Sequence, residues 1–160
     1  MDQRSGCPIN LAIEVLGDRW SLVVLRDMMF GNRRSYRELH GKSLEGIATN
    51  ILAARLRHLE QEGLITAAPD PGHKQRVIYS LTEKAIALVP VMVALGSWGS
   101  EYLPASPQLA ARAIALGAGG PEMAAAFMDE LRELHLGRKR PEGSRSVLAE
   151  LDAAYRAAGG

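Results

Sequence analysis

The fold is decided by residues 35–82, SYRELHGKSLEGIATNILAARLRHLEQEGLITAAPDPGHKQRVIYSLT. Across 47–61, residues Ile47, Ile51, Leu52, Leu56 and Leu59 fall on one side of a helical wheel, which predicts an amphipathic helix. Gly63 stands where a left-handed C-cap would end it. Upstream, Ser35 opens a short helix with Tyr36 and Leu39 facing inward, and His40-Gly41 closes it before the turn Ser43-Leu44-Glu45-Gly46. Two helices joined by a short glycine-containing turn describe a helix-turn-helix. Downstream the period changes. Leu64-Ile65-Thr66-Ala67 is β-like, Pro69-Asp70-Pro71-Gly72 is a turn, and 76–81 reads as a returning strand. The resulting hairpin carries His73, Lys74 and Arg76 at its tip, and a helix-turn-helix followed at once by such a hairpin is a winged helix.

Working outward, Pro8 suits a first helical position, and Ile9, Ala12, Ile13 and Leu16 mark one face of a helix ended by Gly17. Asp18 reads as the N-cap of a second helix with Trp20, Val23, Val24 and Met28 as its stripe and Gly31 as its stop. After the hairpin, Thr82 can cap a helix from Glu83 to about Tyr102. Its residues Ile86, Leu88, Val89, Val91, Met92, Val93, Leu95 and Trp98 are apolar nearly all round. A helix without a polar face must be covered, and a partner subunit is the expected cover, with Gly96, Ser97, Gly99 and Ser100 permitting close approach. From Pro104 the chain turns alanine-rich, with candidate helices over 109–116, 121–136 and 144–157. The expected fold class is mainly α with a small β-hairpin (α+β): a winged helix-turn-helix with a long dimerisation helix and a helical C-terminal extension. The expected domains are 1–103 for DNA binding and dimerisation and 104–160 for the extension.

Hydrophobic residues form 47% of the chain, which supports a real core, and the formal net charge of +1 is uninformative as a total. Its placement says more, because 33–76 holds eight basic residues against five acids. A single cysteine, Cys7, rules out an intrachain disulfide framework and points to a reducing compartment. The N-terminus has no apolar export signal, and the apolar run 85–95, interrupted by Pro90, is shorter than the roughly 20 residues of a membrane span. A cytoplasmic, membrane-free protein is expected.

On the helix 47–61 the face opposite the leucines holds Asn50, Ala53, Ala54 and Arg57, with Thr49 and His58 on its flanks. Asn pairs bidentately with adenine, Thr reaches base edges or the thymine methyl, and the two alanines let a helix sit deep in a major groove. Thr49, Asn50 and Arg57 are therefore candidate contacts to bases or adjacent phosphates; the alternative is an ordinary solvated face. Lys74 and Arg76 on the hairpin suit a minor groove or flanking backbone, with His73 weaker, and Arg34, Tyr36 and Lys42 are candidate phosphate contacts. Arg55 projects toward the apolar side and is expected to pair with Glu60 or Asp27 rather than DNA. The histidines His40, His58, His73 and His135 have no metal-ligand spacing. No phosphate-cradling glycine loop and no nucleophile–base pair is present, so neither an enzyme nor a cofactor is expected. Arg138-Lys139-Arg140 reads as a solvated loop.

These residues resemble the HxlR-type family of bacterial winged-helix regulators. The resemblance rests on Cys7-Pro8, Gly17-Asp18-Arg19-Trp20, Phe30-Gly31, 33–39, 46–52, 55–60, Gly63-Leu64-Ile65 and 77–84 in order, covering about 7–103. One departure is Ala85, where the family pattern has glycine. The resemblance implies a homodimer joined by the first and post-wing helices, binding double-stranded DNA at a roughly palindromic operator and acting as a repressor. A protein–protein module on the same fold is the alternative. Some family members sense electrophiles or oxidants through a cysteine at the position of Cys7, whose place near a helix N-terminus favours a thiolate; the alternative is a small packed residue. Met123, Phe127 and Met128, with Trp98 nearby, either shape a small-molecule pocket or simply extend the dimer by helix packing.

Overall fold

Pro8, with no N–H to leave unpaired, starts the first helix of the computed structural model, which describes residues 5–159. Helix α1 (Pro8–Leu16) ends at Gly17 as the periodicity predicts, and α2 (Ser21–Gly31) follows. Asp18 does cap α2, from a position just ahead of it. Its Oδ1 accepts the backbone N–H groups of Trp20 and Ser21, both at 2.8 Å, and its Oδ2 accepts the Ser21 hydroxyl. The far end differs from expectation: α2 runs through Gly31, and Asn32 takes the left-handed conformation at φ 47°. Asn tolerates that region better than other residues with a Cβ.

Helix α3 (Tyr36–Gly41) and helix α4 (Thr49–Gln61) form the helix-turn-helix. Ser35 Oγ accepts the Glu38 N–H at 3.2 Å and donates to the Glu38 carboxylate, a variant of the capping box. The second helix begins two residues later than the apolar pattern suggests: Ile47 is buried in the turn, its N–H on Ser43 Oγ at 3.2 Å. Gly63, at φ +71°, closes α4 with two nested bonds, the Gly63 N–H donating to the Glu60 carbonyl and the Leu64 N–H to the Leu59 carbonyl. Leu59 and Leu64, brought together by that turn, are both buried.

Strands β1 (Ile65–Asp70) and β2 (His73–Leu81) make a two-stranded antiparallel sheet, with Ile65 opposite Leu81 and an irregularity at Pro69/Asp70. Val24, Leu25, Met28, Met29, Leu39, Leu52, Leu56, Leu59, Leu64, Ile65 and Leu81 form the core of this first compact unit, which ends at Thr82. Trp20 and Val23 of the expected stripe are only half-buried. No residue of α1 is buried, and Ile9 and Ile13 stand 72% and 58% exposed.

The second unit starts at Glu83. The single helix expected over 83–102 is two: α5 (Glu83–Ile86) and α6 (Val89–Tyr102), separated at Ala87-Leu88. Pro90 is the cause, since its ring lacks an N–H and clashes with the carbonyl four residues back, while being well suited to the first turn of α6. The stretch Glu83–Tyr102 has the length and hydropathy of a membrane span. Three helices follow: α7 (Pro107–Ala118), capped by Ser106, α8 (Gly120–Leu136) and α9 (Val147–Gly159). The start of α9 lies later than expected because Glu130, buried on α8, accepts the N–H groups of Val147 (2.7 Å) and Leu148 (3.2 Å) and the Ser146 hydroxyl. Ser144, the expected start, instead donates to Pro141 in a turn. Ile86, Val89, Leu116, Met123, Phe127, Leu131, Val147 and Leu151 fill this unit's core, so Met123 and Phe127 serve packing.

The cover of α6 also departs from expectation. Part of it comes from the chain's own α7: a Cβ on Gly96 would stand 3.1 Å from that of Ala113, and one on Gly117 would stand 2.8 Å from Ser97 Oγ. Two of the four small residues therefore admit an intrachain neighbour. What stays open is a narrower stripe, Val91, Leu95, Trp98 and Tyr102, spaced four, three and four residues apart.

Candidate nucleic-acid interface

Burial of Leu52, Leu56 and Leu59 fixes the rotation of α4, and the opposite face follows from the 3.6-residue period. Thr49, Asn50 and Arg57 are exposed on that face, and Ala53 and Ala54 between them add almost no bulk. Arg57 forms no ion pair among the described residues. On the wing, Lys74 is exposed and likewise without an ion pair among them. Arg76 reaches Glu38 at 3.5 Å and Asp70 at 4.0 Å, long and solvent-screened pairs that a phosphate could outcompete.

The α3 candidates divide. Lys42 is well exposed, with only a 3.9 Å approach to Glu38. Tyr36 is about one-third exposed rather than inward, and its hydroxyl donates to the Thr49 carbonyl at 2.9 Å, which fixes the start of α4. Arg34 turns toward the wing: its Nε donates to the Tyr79 carbonyl at 3.0 Å and its Nη2 to Ser80 Oγ. Burial pulls its guanidinium below the usual value. Arg37, outside the candidate set, is exposed on α3 without an ion pair among the described residues; the Arg33-Arg34…Arg37 cluster was its signal.

Arg55 is in an ion pair, as expected of it, but with Asp18 at 3.1 Å rather than with Glu60 or Asp27. Asp27 is held by Arg26 and Arg33, and Arg26 also bridges to Glu45 at 2.6 Å. Hydrogen bonding to Glu45, then to Asp27, raises the Arg26 guanidinium further above its ordinary value against the opposing effect of burial. For Asp18, burial pushes the carboxyl up, but the Ser21 hydroxyl, the Trp20 and Ser21 N–H groups and Arg55 together outweigh it and leave a lowered pKa. His58 meets the Val15 carbonyl at 2.8 Å, joining α4 to the end of α1, so it belongs to the scaffold.

Cys7 is the residue ahead of α1 and is exposed. The backbone N–H groups of Asn10 and then Ile9 hold its thiol below the usual range, although it makes no full capping hydrogen bond. No group of three or more His, Cys, Asp or Glu side chains is placed to hold a metal among the described residues. In the second unit, Arg138 pairs with Glu83 at 2.7 Å and Arg140 with Glu133 at 3.2 Å, while Lys139 is exposed.

The family model for HxlR-like helix-turn-helix proteins matches residues 15–107. An uncharacterised HTH-type transcriptional regulator of Synechocystis is 38% identical over 97 residues, 61% of this chain and 70% of that protein. An uncharacterised HTH-type regulator of Mycobacterium tuberculosis is 39% identical, with 61% of its own length spanned. The HTH-type regulator YvaP of Bacillus subtilis is 30% identical over 107 residues, 66% of this chain and 97% of its own. Among solved structures, PA1607, a candidate transcription factor, superposes with a TM-score of 0.58 at 40% identity, covering 64% of this chain and 69% of that one. The reduced form of the transcriptional regulator YodB from B. subtilis superposes at 0.51 with 27% identity, covering 62% and 97%. The family model runs through α6 and ends at the first residue of α7, so the rest of α7, α8 and α9 lie beyond it. With a winged helix built on the expected residues and a family model spanning more than half its length, the chain belongs to the HxlR-like helix-turn-helix family.

Proposed function

We propose that this chain is a sequence-specific, double-stranded-DNA-binding regulator of transcription, a cytoplasmic repressor that acts as a homodimer on a roughly palindromic operator. The observation that carries the reading is the outward face of α4, where Thr49, Asn50 and Arg57 project past two alanines on a helix whose other side is locked into the core. Asn50 and Thr49 are suited to base edges, while Arg57, Lys74, Arg76, Lys42 and Arg37 are suited to phosphates. Membership of a family whose named relatives are transcriptional regulators supports the same reading. The exposed apolar faces of α1 and α6 support a second copy as partner, because each is a stripe of one helix rather than an all-round apolar surface. That also favours a subunit seam over a lipid contact for 83–102. Cys7, exposed and with a lowered pKa, is the group through which an electrophilic effector would act.

The test is selection of duplex from a random pool, followed by binding of wild type, Asn50→Ala and Arg57→Ala. Wild type should enrich an inverted repeat with half-sites about one helical turn apart. Asn50→Ala should lose about 1–3 kcal/mol of discrimination, and Arg57→Ala should lose affinity with the dimer intact. A chain that enriches nothing, yet folds and self-associates, would instead be a protein–protein module.

A further inference from the structure

We infer that Arg34 is a positioning residue for the wing rather than a phosphate ligand, an inference that rests on the DNA-binding reading for its consequence but not for its geometry. Residues 34–36 form a hub between the two elements that would meet DNA. The Arg34 carbonyl accepts the Tyr79 N–H at 2.8 Å, its Nε returns a bond to the Tyr79 carbonyl at 3.0 Å, and its Nη2 reaches the Ser80 hydroxyl. Main chain and side chain thus both hold Tyr79, and the side chain reaches Ser80 as well. Two positions along, the Tyr36 hydroxyl holds the carbonyl of Thr49, the first residue of α4. The three residues at the entry to α3 therefore set both the origin of α4 and the base of the wing. The Arg76–Glu38 approach at 3.5 Å adds a weaker tie nearer the tip.

The planar guanidinium suits this task because two of its N–H groups leave in fixed directions toward a carbonyl and a hydroxyl on neighbouring residues. A lysine keeps the charge but not that fork. The half-buried position of Arg34 points the same way, since a phosphate ligand gains from a head group free to leave the surface. The role of Arg34 is to keep Lys74 at a constant distance from the outer face of α4, so that helix and wing engage one duplex together.

The experiment uses the whole 160-residue chain with Arg34→Met, Arg34→Lys, Lys74→Ala and the double variant Arg34→Met/Lys74→Ala. Exchange of the Tyr79 amide proton is measured without DNA, and affinity is measured on the duplex that wild type selects. Arg34→Met and Arg34→Lys should both speed Tyr79 exchange and both weaken binding by about tenfold or more. Lys74→Ala should cost affinity in the wild-type background and almost none in the Arg34→Met background, because a wing already loose has no position to lose. Near-normal binding by Arg34→Lys, or additive losses in the double variant, would make Arg34 a phosphate contact and overturn the inference. Unchanged Tyr79 exchange in Arg34→Met would overturn the clamp itself. If wild type selects no duplex, the DNA reading fails while the exchange measurement still decides the clamp.

Discussion

Arg34, Arg55 and Arg57 are the same residue type put to three uses, clamp, ion pair and open face; the open face of Arg57 and the pairing of Arg55 are legible from local sequence, while the partner of Arg55 and the use of Arg34 are not. Helical phase places Arg57 opposite Leu52, Leu56 and Leu59 whatever the tertiary fold. The uses of Arg34 and Arg55 depend on Tyr79-Ser80 and Asp18, tens of residues away along the chain, which periodicity cannot reach. Cys7 was legible as a residue beside a helix N-terminus, and the direction of its shift gives a pH prediction. Because its folded-state pKa is lowered, the thiolate's favourable interaction is present above the unfolded value and is lost as pH falls through the folded one. The rate of Cys7 alkylation by iodoacetamide, plotted against pH, should therefore have a lower midpoint in the folded protein than in the denatured chain. Coincident midpoints would show that the helix N-terminus does not act on the thiol.

Elements were read well where a cap or glycine has one local meaning, as with α1 and Gly63, and less well where a long-range group sets the boundary. Ser146 starts α9 only with the help of Glu130 on another helix, and Pro90 breaks 83–102 into α5 and α6 although apolar content runs through the break. The entry to α2 offers a test at this scale. Asp18 has a lowered folded-state pKa, so its capping and its pair with Arg55 contribute stability above the ordinary carboxylate range and lose it as pH falls through the folded value. Asp18→Ala should be about 1 kcal/mol less stable than wild type near neutrality by urea unfolding, with the gap narrowing as acid protonates the wild-type carboxyl. A gap that stays constant down to low pH would remove the carboxylate from the account.

At the scale of the molecule, the sequence shows a change of character at Pro104, whereas the chain divides into its compact units between Thr82 and Glu83. Composition marks where alanine begins to dominate, but α6 packs with the α7 that follows it, and packing follows complementarity such as Gly96 against Ala113. That packing leaves Val91, Leu95, Trp98 and Tyr102 as the seam proposed for the second copy. Leu95→Asp, at a position already 49% exposed, should leave the fold intact and shift the protein to monomer in sedimentation velocity, with weakened operator binding. A variant that sediments as the wild-type dimer would place the seam elsewhere.

The measurement closest to the central claim is the affinity of the wild-type protein for the duplex it selects as salt is raised. If Arg57, Lys74, Arg76 and Lys42 of each copy meet phosphates as proposed, log K should fall linearly with log salt, with a slope near −0.9 for each phosphate neutralised. Absence of salt-sensitive binding at micromolar protein, in a preparation that is folded and dimeric, would contradict the assignment of α4 and the wing as a DNA-binding surface.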